Sequence, residues 1–570
     1  MTEPPGNQKQ LVLRTPKIQR GLVAVVSGMV LSLAFAPAEW AFVAWVAIVP
    51  VLIVGLPQGR AAWRLGYLFG LGHFITTFAW LRDAFILGPL LLALVCALLP
   101  ACWLKLAQLV CYNLRLTTDE DLKPQTDRQA VIKRRTIRGQ YVLLTLFLAL
   151  SWCAFEWVRS WFFSGFPWNQ LGVSQWQNEW LLPVTRVTGV YGISFLILVS
   201  NAALYFLAMS WCCGRASLGA WSGYWRGWDM KGPCWQPLVL VVVLVGIAGF
   251  VGHYEVPKRD SELRIATVQG NIPQIRTFTE AQLELAKGVY EEATLDLASK
   301  EQPDLIIWPE TALPATLRTY MRAPMDRLLQ AIKTPLLAGT IDYRELIAPT
   351  SDELPPGFNS AMLYGRDGEV IDWYDKIHLV PFGEYVPFER YWPFLVKWIG
   401  MGRALTPGTE FTVMQFGADA RLGVNICYED VFPEISRGLV RRGANLLVVI
   451  TNDAWFGESS GSRQHLAHSV MRAVETFRPL IRSGNNSDSC LILPTGEVRG
   501  LLYGTDTRFV RATRVYDVPI WRELPMTTYT RCGNWLGHVA AIVTGLAVLW
   551  CLYRCLNRRK RLYELVQRSD

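Results

Sequence analysis

Three residues of this 570-residue chain have the types and settings to carry an acyl group. Cys427 lies in RLGVNICYED, at the end of an apolar, β-prone run (Leu422, Val424, Ile426) and ahead of a helix-like stretch from Phe432 to Arg442. A cysteine on such a strand-to-helix elbow sits where backbone N–H groups and a helix N-terminus can lower a thiol pKa and hold an oxyanion. Glu310 ends the run DLIIWPE, and Lys376 opens the conspicuous segment DKIHLVPFGEYVP. A glutamate can serve as general base towards the thiol, a lysine can stabilise a developing oxyanion, and a cysteine can carry the acyl group as a thioester. Each has a structural alternative when taken singly. Cys427 can pack as a small buried residue, Glu310 can cap the segment after it, and Lys376 can pair with Asp375 or Glu384.

What must position these residues is a layered α/β domain, in which reacting groups gather at strand ends. Strand signals fall at Leu263–Val268, Asp304–Trp308, Pro335–Ile341, Ser360–Tyr364, Val370–Tyr374, Leu422–Ile426, Ala444–Ile450, Pro479–Arg482 and Cys490–Leu493. Helical periodicity falls at Glu280–Ala298, Ala323–Ile332, Phe432–Arg442 and Gln464–Phe477. The domain is large enough to bury its own core.

The rest of the chain is apolar. Hydrophobic residues make up 51% of the sequence and the mean hydropathy is +0.21, which points to a membrane protein carrying a polar domain. The 24 Trp agree, since indole rings favour the membrane–water interface. Candidate spans are Gly21–Pro37, Ala38–Leu56, Leu65–Leu81, Phe85–Cys111, Tyr141–Phe162, Val187–Trp211, Pro237–Tyr254 and Trp535–Tyr553. The basic clusters at Arg60 and Arg64, Lys133 to Arg138, Arg215 and Arg226, and Arg554 to Arg561 then fall on the side of the N-terminus. That places residues 1–20 as a cytoplasmic arm and 21–254 as a membrane domain of about seven spans. Residues 255–533 form a catalytic domain on the opposite, periplasmic side, 534–553 the last transmembrane helix and 554–570 a basic cytoplasmic tail. The net charge of +9 is explained by this topology, with no nucleic-acid partner. Of the 12 Cys most lie in or beside apolar runs, with no CxxC pair or zinc spacing, which argues against a disulfide framework. The charged segment Thr117–Gln140 reads as a loop, and Glu156 as a structural partner of Arg159 or Arg186.

Taken together, WPE, DKIHLVPFGEYVP and CYE resemble the Glu-Lys-Cys triad segments of the nitrilase superfamily. With the spans and the segments GFPWNQLG, TGVYGISFL and NDAWFG, the whole chain is similar to the apolipoprotein N-acyltransferase family. The resemblance implies a multi-span α-helical membrane domain plus an α/β nitrilase-like αββα sandwich outside the membrane. It implies a two-stage transfer in the inner membrane, working as a monomer without a cofactor or metal. The acyl donor would be a phospholipid such as phosphatidylethanolamine, and the acceptor the α-amine of a diacylglyceryl-modified lipoprotein. Glu310 would act as base and acid, Lys376 and the Tyr428 N–H would hold the oxyanion, and Glu384 and Glu429 would orient the lysine and cysteine. Asn359 and Trp455 would touch substrate, and Asn452 and Asp453 would build the loop beside the thiol.

A thioester needs protection from water, and the aromatic stretch Val386–Gly402 (Phe388, Tyr391, Trp392, Phe394, Trp398, Met401) reads as a membrane-facing lid or a buried core strip. His465 and His468 lie one helical turn apart, but two histidines without a third ligand make a poor zinc site. Two features depart from the family pattern: Ser487 and Asp488 follow Asn485–Asn486 where a glycine is common, and IRTF with Phe278 follows VQGNIPQ. Two rival functions stay open at this level: a membrane-anchored amidase with water as acceptor, and a catalytically silent membrane scaffold.

Overall fold

The computed structural model describes residues 17–121, 127–214, 235–273, 279–312, 322–343, 357–394, 396, 404–501 and 509–567. Most of the expected N-terminal arm, Arg215, Arg226, Phe278, Trp398 and Met401 lie outside them.

The helical domain comprises α1 (Lys17–Ser32), α2 (Val49–Gly55), α3 (Ala62–Thr77), α4 (Gly88–Cys96), α5 (Leu98–Asp121), α6 (Asp127–Trp161), α7 (Thr185–Thr188), α8 (Val190–Gly214) and α9 (Gln236–Ala248). Five helical stretches among the described residues are long and apolar enough to cross a membrane: Ala41–Thr77, Gly88–Leu114, Gly139–Ser164, Val190–Trp211 and Trp535–Lys560. α1 and α3 cross where small residues let backbones meet. A Cβ on Gly28 would lie 2.1 Å from the Phe69 carbonyl oxygen, and one on Gly72 would lie 2.3 Å from that of Val25.

Three expectations are corrected here. The span at 38–56 is broken into a 3₁₀ turn (Ala41–Trp45) and the seven-residue α2. Its freed backbone groups are satisfied by Asn201 of α8, whose Oδ1 accepts from Ile48 N–H (2.9 Å) and whose Nδ2 donates to Ala44 O (2.8 Å). The span at 237–254 shortens to the 13 residues of α9, about 20 Å of helix against a hydrocarbon core of about 30 Å. Residues 117–140, read as a loop, are helical over 117–121, where α5 runs on, and over 127–140, where Lys, Arg, Gln and Ala are good helix formers.

The second domain holds two six-stranded sheets packed face to face. The first runs β12 (Ala512–Ile520), β1 (Ser261–Gln269), β2 (Leu305–Ile307), β3 (Leu336–Tyr343), β4 (Gly357–Tyr364), β5 (Val370–Asp375). The second runs β11 (Val498–Arg499), β10 (Cys490–Ile492), β9 (Leu480–Gly484), β8 (Leu446–Thr451), β7 (Ala420–Ile426), β6 (Val413–Phe416). Ile265, Ile307, Leu337 and Leu363 of one sheet meet Leu422, Val424, Val448 and Ile450 of the other in a single core. α10 (Glu280–Glu301) and α11 (Arg322–Ile332) cover the first sheet through Tyr290, Leu297 and Leu329, with α10 started by a Thr279–Gln282 capping box.

α12 (Pro433–Arg441) and α13 (Gly461–Thr476) cover the second sheet, and their apolar residues share one core with Leu171, Leu182 and Tyr191 of the helical domain. α13 is therefore a middle layer, buried along nearly its whole length although polar in composition. Its polar groups serve both neighbours: Gln464 Oε1 accepts from Trp168 Nε1–H (2.9 Å), and Glu475 Oε1 accepts from Val190 N–H at the start of α8 (3.0 Å). The short α14 (Thr528–Cys532) leads into α15 (Trp535–Gln567).

Candidate active site

β2 and β7 are parallel strands that end on the same side of the sandwich, and each delivers one reacting group just past its last residue. Glu310 follows β2 through Trp308 and Pro309, and β3 closes on it from the side. Only glycine fits that crossing, since a Cβ on Gly339 would lie 2.4 Å from the Pro309 carbonyl oxygen and 2.7 Å from the Glu310 Cα. Lys376 follows β5, and its N–H donates to the Asn359 carbonyl in β4 (2.8 Å). Cys427 follows β7 with φ +53°, a left-handed conformation in which a side chain costs about 1–2 kcal/mol. That turn moves the chain from one core to another: Cys427 belongs to the inter-sheet core and Tyr428 to the core shared with the helical domain.

The buried polar groups form one cluster. Lys376 Nζ lies 3.2 Å from Glu310 Oε1 and 3.0 Å from Glu384 Oε1. Asn359 Nδ2 donates to the same two carboxylates, at 2.9 Å and 2.7 Å, which fixes its amide orientation and leaves its buried Oδ1 without a hydrogen-bond partner among the described residues. Glu310 Oε2 accepts from Asn452 N–H (3.1 Å), and Glu384 Oε2 from Val380 N–H (2.7 Å). Burial alone would depress the Lys376 ammonium, but the charges of Glu310 and Glu384 outweigh it and hold the lysine well above its ordinary range.

The Cys427 thiol goes the other way. Burial and the negative charge of Glu310 push it well above its ordinary value, with Lys376 opposing. An elbow of this kind can lower a thiol, but here desolvation dominates, and the resting group is a thiol that needs a base. Glu429 anchors the elbow from behind. Its Oε2 accepts from Ile426 N–H (2.8 Å), and its Oε1 accepts from Tyr374 Oη–H (2.8 Å), Ile377 N–H (2.7 Å) and His378 N–H (3.1 Å). One carboxyl, held up at about 7 by burial, therefore ties the nucleophile strand to the lysine strand. The Tyr428 ring faces Phe166 and Trp168 of the helical domain, each at 6.3 Å between centroids.

Glu310, Lys376, Glu384, Asn359, Cys427 and Glu429 are thus brought into one buried cluster. Trp455 is not part of it: its side chain is 41% exposed on the surface of the short turn Asp453–Phe456. Of the aromatic stretch, Phe388, Tyr391, Trp392 and Phe394 are exposed, which excludes the buried core strip for those four. Phe388 meets Phe163 of the helical domain at 6.3 Å. Glu156 lies within the electrostatic reach of Arg159, and its Oε1 accepts from Leu171 N–H (2.7 Å).

Behind the elbow lies a set of residues whose joint role the sequence did not reveal: Asp430, Asp453, His465 and Arg482, all 0–1% exposed. His465 faces Asp430 and Asp453 with its two ring nitrogens, while Asn169 N–H donates to His468 Nε2 (3.2 Å), so the histidine pair does not converge. Ser487, at the position of the missing glycine, donates its hydroxyl to Asp453 and joins this set.

Two family models match the chain in series: the apolipoprotein N-acyltransferase N-terminal domain over residues 27–203 and carbon-nitrogen hydrolase over residues 264–510. An apolipoprotein N-acyltransferase of Geobacter metallireducens is 32% identical, over 84% of this chain and 86% of its own. One from Azotobacter vinelandii is 30% identical over 93% and 94%, and one from Vibrio vulnificus 27% identical over 95% and 98%. An amidase structure from Nesterenkonia sp. aligns with 49% of this chain at 20% identity and a TM-score of 0.35. With its helical membrane domain and carbon-nitrogen hydrolase domain in this order, the chain belongs to the apolipoprotein N-acyltransferase family.

Proposed function

We propose that the chain transfers an acyl group from the sn-1 ester of a phospholipid, through a thioester on Cys427, to the α-amine of the diacylglyceryl-cysteine of an apolipoprotein. The observation that carries this reading is a buried cysteine on a left-handed elbow, beside a Glu310–Lys376 pair and next to a wall of aromatics from the helical domain. In the first stage Glu310 takes the thiol proton as sulfur attacks the ester carbon, and Lys376 and the Tyr428 N–H stabilise the oxyanion. The C–O bond breaks, and the proton passes from Glu310 to the leaving lysophospholipid oxygen. In the second stage the α-amine attacks the thioester carbon and gives a proton to Glu310. The C–S bond breaks, and the proton returns to sulfur, leaving the amide and free enzyme. Asn359 spans Glu310 and Glu384, and its free Oδ1 offers an acceptor to the incoming amine.

Phosphatidylethanolamine is the proposed donor, and one chain is the working unit. Residues 255–533 stand on the periplasmic face, with both termini in the cytoplasm. Phe388, Tyr391, Trp392 and Phe394 form a membrane-facing lid beside Phe163.

The test is the intact mass of the purified protein after incubation with phosphatidylethanolamine, beside a Cys427→Ala control. A hydroxylamine-labile acyl adduct that requires Cys427 is expected. Bound lipid with no adduct would turn the reading towards a scaffold, and turnover of a soluble amide without lipid dependence towards an amidase.

A further inference from the structure

The left-handed turn at Cys427 is held from its buried side by a histidine on a different element. His465 Nε2 lies 3.2 Å from the Cys427 carbonyl oxygen and 2.6 Å from Asp430 Oδ1, so one N–H is shared between the nucleophile's own backbone and the carboxylate three residues on. His465 Nδ1 lies 3.0 Å from Asp453 Oδ1, in the loop that gives its Asn452 N–H to Glu310. Arg482 completes the set from β9, reaching Asp430 Oδ2 at 3.2 Å and Asp453 Oδ2 at 3.0 Å. We propose that His465 is a positioning residue for acyl transfer, its Nε2–H holding the Cys427 carbonyl and Asp430 together and so fixing the elbow from which the thiol acts. The proposal rests on the reading of Cys427 as nucleophile.

The charge balance explains why a histidine stands there. Nε2 faces Asp430 Oδ1 and the Cys427 carbonyl, so it carries a proton in either charge state, while Nδ1 lies between Asp453 Oδ1 (3.0 Å) and Arg482 Nη2 (2.9 Å), where the two carboxylates favour the imidazolium. With the ring protonated, two carboxylates and two cations sum to zero in a fully buried place. The charged groups acting on His465 are Asp430 from the elbow, Asp453 from the following loop and Arg482 from β9, while Asp430 and Arg472 act on His468 one turn along α13. Burial would neutralise His465, but Asp430 and Asp453 carry it up to about 9. Because this lies above the ordinary 6.5, the charge-assisted strength of the hold is complete below about pH 6.5 and is lost as pH rises through about 9, which leaves a weaker neutral N–H on the elbow. Lys376, held higher still, keeps its charge through that window. α13 also carries Gln464 and His468, which grip Trp168 and Asn169 of the helical domain, so one helix joins the elbow to that buried connection.

The experiment is the single-turnover rate of Cys427 acylation by phosphatidylethanolamine, from pH 6 to 10.5, in detergent-solubilised full-length protein. Wild type is expected to lose rate with an apparent pKa near 9. His465→Gln should lower the rate about a hundredfold at pH 7 with the lipid KM within about twofold, and should lack the alkaline limb. Asp453→Asn removes one carboxylate from the ring and should move the limb down by about one to three pH units. A wild-type rate that stays flat or rises through pH 10 would overturn the proposal without any variant. So would a His465→Gln protein whose loss tracks only its folded fraction, with the limb kept. Absence of any Cys427 adduct in wild type would overturn both this and the function on which it rests.

Discussion

Asn359→Ala separates a substrate contact from an orienting role. The side chain gives both amide hydrogens to carboxylates, 2.9 Å to Glu310 and 2.7 Å to Glu384, and the same two oxygens hold Lys376. A hydrogen bond to a charged group contributes about 2 kcal/mol. Losing the Glu310 bond alone then corresponds to about 30-fold in rate, and losing both to about a thousandfold. Glu310 retains Lys376 and the Asn452 N–H, so it swings within its site rather than leaving it. The fall should therefore appear in the acylation rate constant, measured by quenched-flow intact mass, with the phospholipid KM nearly unchanged. A raised KM with an unchanged rate constant would refute the orienting role and make Asn359 a substrate contact only. An unchanged rate constant and KM would refute the use of the bridge altogether.

Lys376→Met leaves Glu310 and Glu384 buried without their cation, which should cost about 3–5 kcal/mol and remove acylation by at least about a hundredfold. A thermal midpoint and an acylation rate equal to those of wild type would refute the assignment. Gly339→Ala drives a methyl group into backbone atoms at Pro309 and Glu310, so it should destabilise by about 1–3 kcal/mol and slow acylation by displacing the base. Full activity would show that the Glu310 loop is not held by that crossing.

The parts of the fold legible in the sequence are those whose pattern is local. β7 and β8 read as strands because runs such as LLVVIT are apolar throughout, as parallel strands buried on both faces must be. β12 was missed because Arg514, Asp517 and Pro519 interrupt its pattern, and its place is set by antiparallel pairing with β1 some 250 residues earlier, Ser261 opposite Ile520. The same limit governs the site. WPE, DKIHLVPFGEYVP and CYE are continuous and could be read as motifs, whereas Asp430, Asp453, His465 and Arg482 come from four segments that meet only in the fold. A polar helix buried on every side was the available signal, and the sequence shows the polarity of α13 but not its burial. The direction of the Cys427 shift was not legible for the same reason, since the elbow is local and the desolvation is tertiary.

The membrane domain supplies more than an anchor. Cys427 and Tyr428 are adjacent, yet the first packs between the sheets and the second against Phe166 and Trp168. Without the helical domain, the Tyr428 ring and the α13 residues Leu466, Val470 and Val474 would face water, so the wall beside the nucleophile exists only in the joined molecule. A thioester formed at Cys427, as proposed, would thus be flanked by apolar side chains of the helical domain that shield it from water. A thiol kept protonated until a base acts suits that setting, because it does not become a buried anion before the ester arrives. On the proposed function, the same Glu-Lys-Cys arrangement open to solvent would favour water as acceptor, whereas beside this wall it would favour an amine delivered on a lipid.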